Sequence, residues 1–248
     1  MDLAMTKLGR NILVFAFLTF FIFIYTYTDQ SQTEASQASV PADGAFIPVA
    51  ARFVETRQQS DVPESKSDWF FTRSDTRIET AQKDYTEIWE RDDRQEITLK
   101  RIFHGDRKLI AYTSGELRAQ RRIKGWSVLA AMLDEKILSQ LEKRGETIVL
   151  KQPAVKYAGQ WGDERVEVVW LTRQAIPAKL VRRHAGGTYT LELKELRHTP
   201  DGSWPTVKRE EIDDYEWLDG ADLGDREYDP FVRKVLALDA GRPGGHHH

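Results

Sequence analysis

The stretch AIPAKLVRRHAGGTYTLELKELRH, residues 175–198, limits the fold more than any other part of the chain. Tyr189, Leu191 and Leu193 alternate with Thr190, Glu192 and Lys194, a period of two that makes one face apolar and leaves the other wet. Ahead of them Ala178 and Leu180 alternate, less cleanly, with Lys179 and Val181. Ala185, Gly186 and Gly187 form the predicted turn, where glycine takes a positive φ without steric cost. Pro177 opens the first strand, where a missing N–H is tolerated. One-sided alternation predicts an antiparallel sheet with one covered face, as against a doubly buried parallel sheet.

Residues 66–238 have the length of one domain. Trp69 and Phe71, Tyr85 and Trp89, Ile97 and Leu99, and Leu109 and Ala111 fall at strand spacings, with His104–Arg107 as a hairpin turn. The period then changes. Trp126, Leu129, Ala130, Leu133, Ile137 and Leu141 mark one helical face, with Lys143 and Arg144 in the last turn and Gly145 just past it. Strand character returns from Thr147 onward, and Asp229–Leu238 reads as a short helix with Pro230 in its first turn. This order predicts an α+β fold: a curved, mainly antiparallel sheet, half-open and barrel-like, packed by one main amphipathic helix. One helical stripe is narrow against such a sheet, so an apolar hollow is expected beside it. Its expected lining is Trp89, Phe103, Trp170, Leu180, Tyr189, Leu191 and Leu193, which suits an acyl chain or an apolar peptide. The plainer reading of the same residues is an ordinary core.

The N-terminus sets the expected location. The uncharged run Ile12–Tyr27, within residues 11–28, is long enough for a tilted or snorkelling transmembrane helix acting as a signal anchor. Lys7 and Arg10 precede it and the next basic residue is Arg52, so residues 1–10 are expected in the cytoplasm and the rest across the inner membrane, in the periplasm. A cleaved signal peptide is the alternative; its nearest small-residue site, Ser36–Ala38, stands well downstream. Residues 29–65, rich in Gln, Ser, Ala, Asp and Pro, read as a linker, and 239–248 as a flexible tail. The apolar patch FIPVAARFV (Phe46–Val54) interrupts the linker and is expected to dock as an edge strand or short helix.

Chemistry is sparse. The chain has no cysteine, which excludes disulfides, thiolate metal sites and a lipidated cysteine. A net charge of −3 is too balanced for a nucleic-acid partner. No Walker loop, GxGxxG, HExxH or GxSxG motif occurs. His104 with Asp106 is the nearest to a catalytic pair, but both sit in a predicted turn and lack a third partner. The acidic stretch Glu210–Asp229 lacks the terminal glutamate of a calcium loop and reads as solvated. The basic cluster Arg118–Lys124 reads as a solvated connection, or as a contact for lipid headgroups or an acidic partner. No catalytic residue, metal site or cofactor is expected.

The proline-led strand, glycine turn and alternating strand of residues 175–198 resemble the late hairpin of the LolA/RseB-like group of periplasmic lipoprotein carriers and sensors. The resemblance spans Asp68–Pro205, rests on the order of elements and carries over no site residue. It implies a half-open β-barrel with helices inside and a tethered lipid-handling or sensing role. The expected function is a membrane-anchored, periplasmic, non-enzymatic envelope factor that binds a lipidic ligand or an apolar protein segment. The alternative is a structural or assembly subunit of an inner-membrane complex, holding a membrane-protein partner by its sheet edge and acidic tail. An enzyme is the third reading.

Overall fold

The computed structural model describes residues 46–59, 62–122 and 125–240. A first meander runs through β1 (Val49–Gln59), β2 (Val62–Arg73), β3 (Arg77–Gln82), β4 (Tyr85–Arg91), β5 (Ile97–Phe103) and β6 (Lys108–Tyr112), each antiparallel to the next. A second runs through β7 (Glu142–Val149), β8 (Gln152–Trp161), β9 (Glu164–Leu171), β10 (Ile176–His184) and β11 (Gly187–Arg197). The two join where β11 pairs with β1, Phe53 standing opposite Leu193. β12 (Glu216–Asp219) adds in parallel to β6. The result is one curved, mixed sheet of twelve strands, ordered β12-β6-β5-β4-β3-β2-β1-β11-β10-β9-β8-β7.

Three short helices link the meanders: α1 (Ser114–Ala119), α2 (Trp126–Ala131) and α3 (Glu135–Gln140). α4 (Arg209–Ile212) precedes β12, and α5 (Pro230–Ala240) follows it. α1 starts in a capping box: the Glu116 amide donates to Thr113 Oγ1 at 3.3 Å, and the Thr113 amide donates back to Glu116 Oε2 at 2.7 Å. Leu117 of α1, Leu129 and Ala130 of α2, Ile137 and Leu138 of α3, and Phe231, Val232 and Val235 of α5 all pack into one buried cluster with a single face of the sheet. The opposite face is covered at β4–β6, where Ile88, Ile102 and Leu109 meet Ile212, Val207 and Tyr215.

The expected α+β fold, with an N-terminal transmembrane helix and one main amphipathic helix, is overturned. One large mixed sheet dominates, and no helix among the described residues is long and apolar enough to cross a membrane. Residues 11–28, where the span was expected, lie outside the described residues. The helix expected over 126–143 is two helices and a strand. Met132 takes a left-handed conformation (φ 60°), Asp134 caps α3 by accepting from the Lys136 amide at 2.8 Å, and β7 begins at Glu142. Leu133, Ile137 and Leu141 remain buried across the break, so the apolar spacing never registers it. Gly145 lies at a bulge in β7, with φ 129° and a register shift between Lys143 and Gly145.

The patch Phe46–Val54 is no edge element. It feeds β1, which sits mid-sheet with Ala50, Ala51 and Phe53 fully buried. Residues 62–65, read from composition as linker, begin β2. In the hairpin of β10 and β11, His184 pairs with Gly187 across Ala185 and Gly186. Gly187 holds the positive φ, 151°, and a Cβ there would stand 2.2 Å from the Gln58 carbonyl oxygen of β1. Close approach to the central strand therefore dictates glycine at this position.

Candidate functional site: the covered face of the sheet

Strand alternation and register bring all seven expected lining residues to one face. Across the second meander and β1, Phe53 stands beside Leu193, Leu191 beside Leu180 and Val168, and Arg57 beside Tyr189, Arg182 and Val166. Across the first, Tyr85 stands beside Phe103, and Trp89 beside Leu99. Trp69 bridges the two groups, 5.4 Å from the Phe53 ring and stacked 6.0 Å from Phe71. The seven residues are between 1% and 8% exposed and share one buried cluster with the four helices above them. A surface pocket of about 340 Å³ between α2 and α3 is lined by Ser127, Val128, Leu133, Asp134, Lys136 and Ser139, none of them among the seven.

Charges punctuate this apolar face. Arg101 of β5 is 1% exposed. Its Nε donates to Tyr85 Oη at 2.7 Å, its Nη1 lies 3.1 Å from the Asp239 carboxylate of α5, and Glu87 stands 3.9 Å away. Tyr85 Oη donates in turn to Glu87 Oε1 at 2.5 Å. Burial works against the charge on Arg101, but Tyr85, Asp239, Tyr112 and Glu87 together hold its pKa well above the ordinary value. Arg122 also donates to Asp239.

Arg73 of β2 is buried among carbonyls instead. It donates to Ile47 O at 2.9 and 3.2 Å, to Ala130 O at 2.5 Å and to Gln174 O at 2.6 Å, with its guanidinium 4.8 Å from the Phe46 ring. These bonds tie β2 to the end of α2, to the β9–β10 turn and to the chain entering β1. Desolvation lowers the Arg73 pKa to about 10. A third group closes the hairpin end: Glu55, 2.5 Å from Arg57, and Arg182 paired with Glu164, around a Tyr189 phenol whose pKa burial drives well above its usual value.

Sequence reasoning missed Arg73 and Arg101, though a signal was present. Leu99, Arg101 and Phe103 fall in one register, as do Trp69, Phe71 and Arg73, so each arginine stands on the apolar side of its strand.

His104 and Asp106 do not form a pair. His104 Nε2 is 3.0 Å from Thr86 Oγ1 and Nδ1 3.3 Å from Tyr215 Oη, whereas Asp106 is 2.5 Å from Lys234 Nζ. The acidic stretch 210–229, expected as a loop, contributes α4, β12 and a 3₁₀ turn, Ala221–Arg226. In the basic cluster, Arg118 pairs with Glu96 at 2.8 Å. Among the described residues no three His, Asp or Glu side chains stand where they could share a metal ion.

No protein-family model and no curated protein matches the chain. Solved structures do. PNGF-II is 9% identical over 72% of this chain and 32% of its own, with a TM-score of 0.40. MucB in the Pseudomonas aeruginosa MucA/MucB complex is 14% identical over 66% and 56%, with a TM-score of 0.35. A LolA-superfamily protein from Nitrosomonas europaea is 8% identical over 66% and 90%, with a TM-score of 0.27. The chain thus spans about a third of the length of PNGF-II and just over half of that of MucB. MucB and a LolA-superfamily protein stand among these neighbours, but with TM-scores of at most 0.40 and identities of at most 14% the likeness carries no argument about this chain.

Proposed function

We propose that this chain is a non-enzymatic binding protein of the cell envelope, one that takes an apolar ligand, a lipid acyl chain or an apolar protein segment, against the covered face of its sheet. One observation carries the reading: that face is mainly apolar and aromatic from β5 to β9, broken by a few hydrogen-bonded charges such as Arg101 and Arg73, yet its cover consists of helices of 6, 6, 6 and 11 residues. Helices shorter than about 12–15 residues do not sustain themselves in water. The cover is held chiefly by its contacts with the sheet, and a ligand offering the same contacts competes with it. Placement outside the cytoplasm, at the inner membrane, is supported by the apolar run Ile12–Tyr27 behind Lys7 and Arg10.

The test is native mass spectrometry of the full chain drawn from membranes in mild detergent, together with uptake of an apolar fluorescent probe. Bound apolar species and probe uptake are expected; a chain that carries none and takes up no probe rejects the reading. Leu191→Trp, at a position 4% exposed, should abolish uptake and cost about 1–3 kcal/mol of stability by overpacking. A reporter fused at the C-terminus that works only outside the cytoplasm should be active.

A second reading, a structural or assembly subunit, is favoured by β7. It is the last strand of the sheet; its own Ile148 is 75% exposed, and Leu150 in the turn that follows is 46% exposed. An added strand from a partner would satisfy its open backbone edge. A photo-crosslinker at position 148 that captures one defined membrane protein, with no probe uptake, would favour this reading over the first.

A further inference from the structure

Helix α5 brings a carboxylate to the covered face. Phe231, Val232 and Val235 are buried, while Arg233, Lys234, Leu236 and Ala237 face outward. At the first end the Phe231 ring meets Phe103 edge-on, 5.0 Å away. At the other, Asp239 meets the buried Arg101 at 3.1 Å. Phe231 and Asp239 are separated by about 12 Å along the helix at about 1.5 Å per residue. An apolar length ending in a carboxylate is also the plan of a single-chain carboxylic acid.

We infer that α5 is the internal occupant of a binding site for long-chain carboxylic acids. The carboxylate of such a ligand takes the place of Asp239 on Arg101, and its chain takes the place of Phe231, Val232 and Val235 against Phe103 and Tyr85. This rests on the proposed binding role and adds to it a place and a head group. The head group follows from Arg101. A neutral lipid displacing α5 would cover the aromatic surface but leave a fully buried guanidinium with Glu87, 3.9 Å away, in place of the closer Asp239. Among the described residues the helix is held mainly by those apolar contacts and by Asp239, which meets both Arg101 and Arg122. Its other ion pairs, Lys234 with Asp106 and Lys108 with Asp229, are partly solvated and of the weak class.

The experiment uses the full chain with myristate and, as the uncharged control, tetradecanol. Amide hydrogen exchange over residues 231–239 is read along with binding by displacement of a neutral apolar fluorescent probe. Myristate should speed exchange in α5 about tenfold, and tetradecanol should leave it unchanged. Asp239→Asn removes the competing carboxylate and should tighten myristate binding by about tenfold, the order of one charge-assisted hydrogen bond. If that variant does not fold, the two ligands on the unaltered chain decide the matter. Unchanged exchange with myristate, equal opening by both ligands, or no tightening in a folded Asp239→Asn variant overturns the inference. If the neutral probe binds while α5 stays closed to myristate, the proposed binding role stands and this site falls; if nothing binds, both fall.

Discussion

Arg73 and Arg101 are buried to nearly the same degree in opposite surroundings, one among carbonyls and the other among acids and phenols. Their variants should differ accordingly. Arg101→Met leaves Asp239 and Glu87 without their buried cation and should cost about 3–5 kcal/mol in urea unfolding. Adding Asp239→Asn should recover part of that loss, and a double-mutant cycle showing strict additivity would refute the coupling. His104 gives the fold a pH dependence. Burial holds its pKa below the ordinary value, against the pull of Glu211 and Asp84. The unfolded chain therefore takes up a proton first, and this contribution is complete above about pH 6.5 and lost as pH falls below it, until the folded imidazole also protonates. His104→Gln should flatten the change in urea midpoint between about pH 7.5 and about pH 5.5; an unchanged slope would exclude His104 as its source.

At the scale of single elements, the β7–β8 turn is the least suited to its own sequence. Leu150 (φ 47°) and Lys151 (φ 63°) both take left-handed conformations that glycine and asparagine favour. Leu150→Asn with Lys151→Gly should raise stability by about 1–2 kcal/mol, read as a higher melting temperature. No gain would mean that contacts of these side chains already offset the strain. The same strands show what a sequence discloses. The β10–β11 hairpin is legible because β11 alternates cleanly from Tyr189 to Lys194, and four of the seven lining residues, Leu180, Tyr189, Leu191 and Leu193, lie in it. β1 is hidden because its buried half, Val49–Phe53, is short and its other half, Glu55–Gln59, runs out polar to the hairpin end. α2 and α3 read as one helix because a single left-handed residue, Met132, changes the direction of the chain without disturbing the spacing of buried side chains. The register of Leu99, Arg101 and Phe103 places Arg101 on the apolar side, but its partner Asp239 lies far along the chain, and no local pattern announces that pairing.

Across the whole molecule, β1 joins two meanders that otherwise make their own ladders. Phe53, fully buried on β1, belongs to the cluster they share. Phe53→Ala should cost about 3–5 kcal/mol, and amide exchange in β4 and in β9 should still lose protection at one common urea concentration. Separate midpoints would show that the halves fold independently. The same seam has a consequence for the order in which the protein is made. β1 leaves the ribosome before every other strand in the sheet, and β2 to β6 can zip up behind it as they emerge. Its other edge waits for β11, which is synthesised only after the rest of the second meander, β7 to β10. Throughout that interval the nascent half-sheet presents an unpaired row of backbone donors and acceptors beside Phe53, the kind of edge that recruits other chains. The strand that closes the seam is therefore the eleventh of twelve to be made, and a chain halted before Gly187 would be left with the middle of its sheet open.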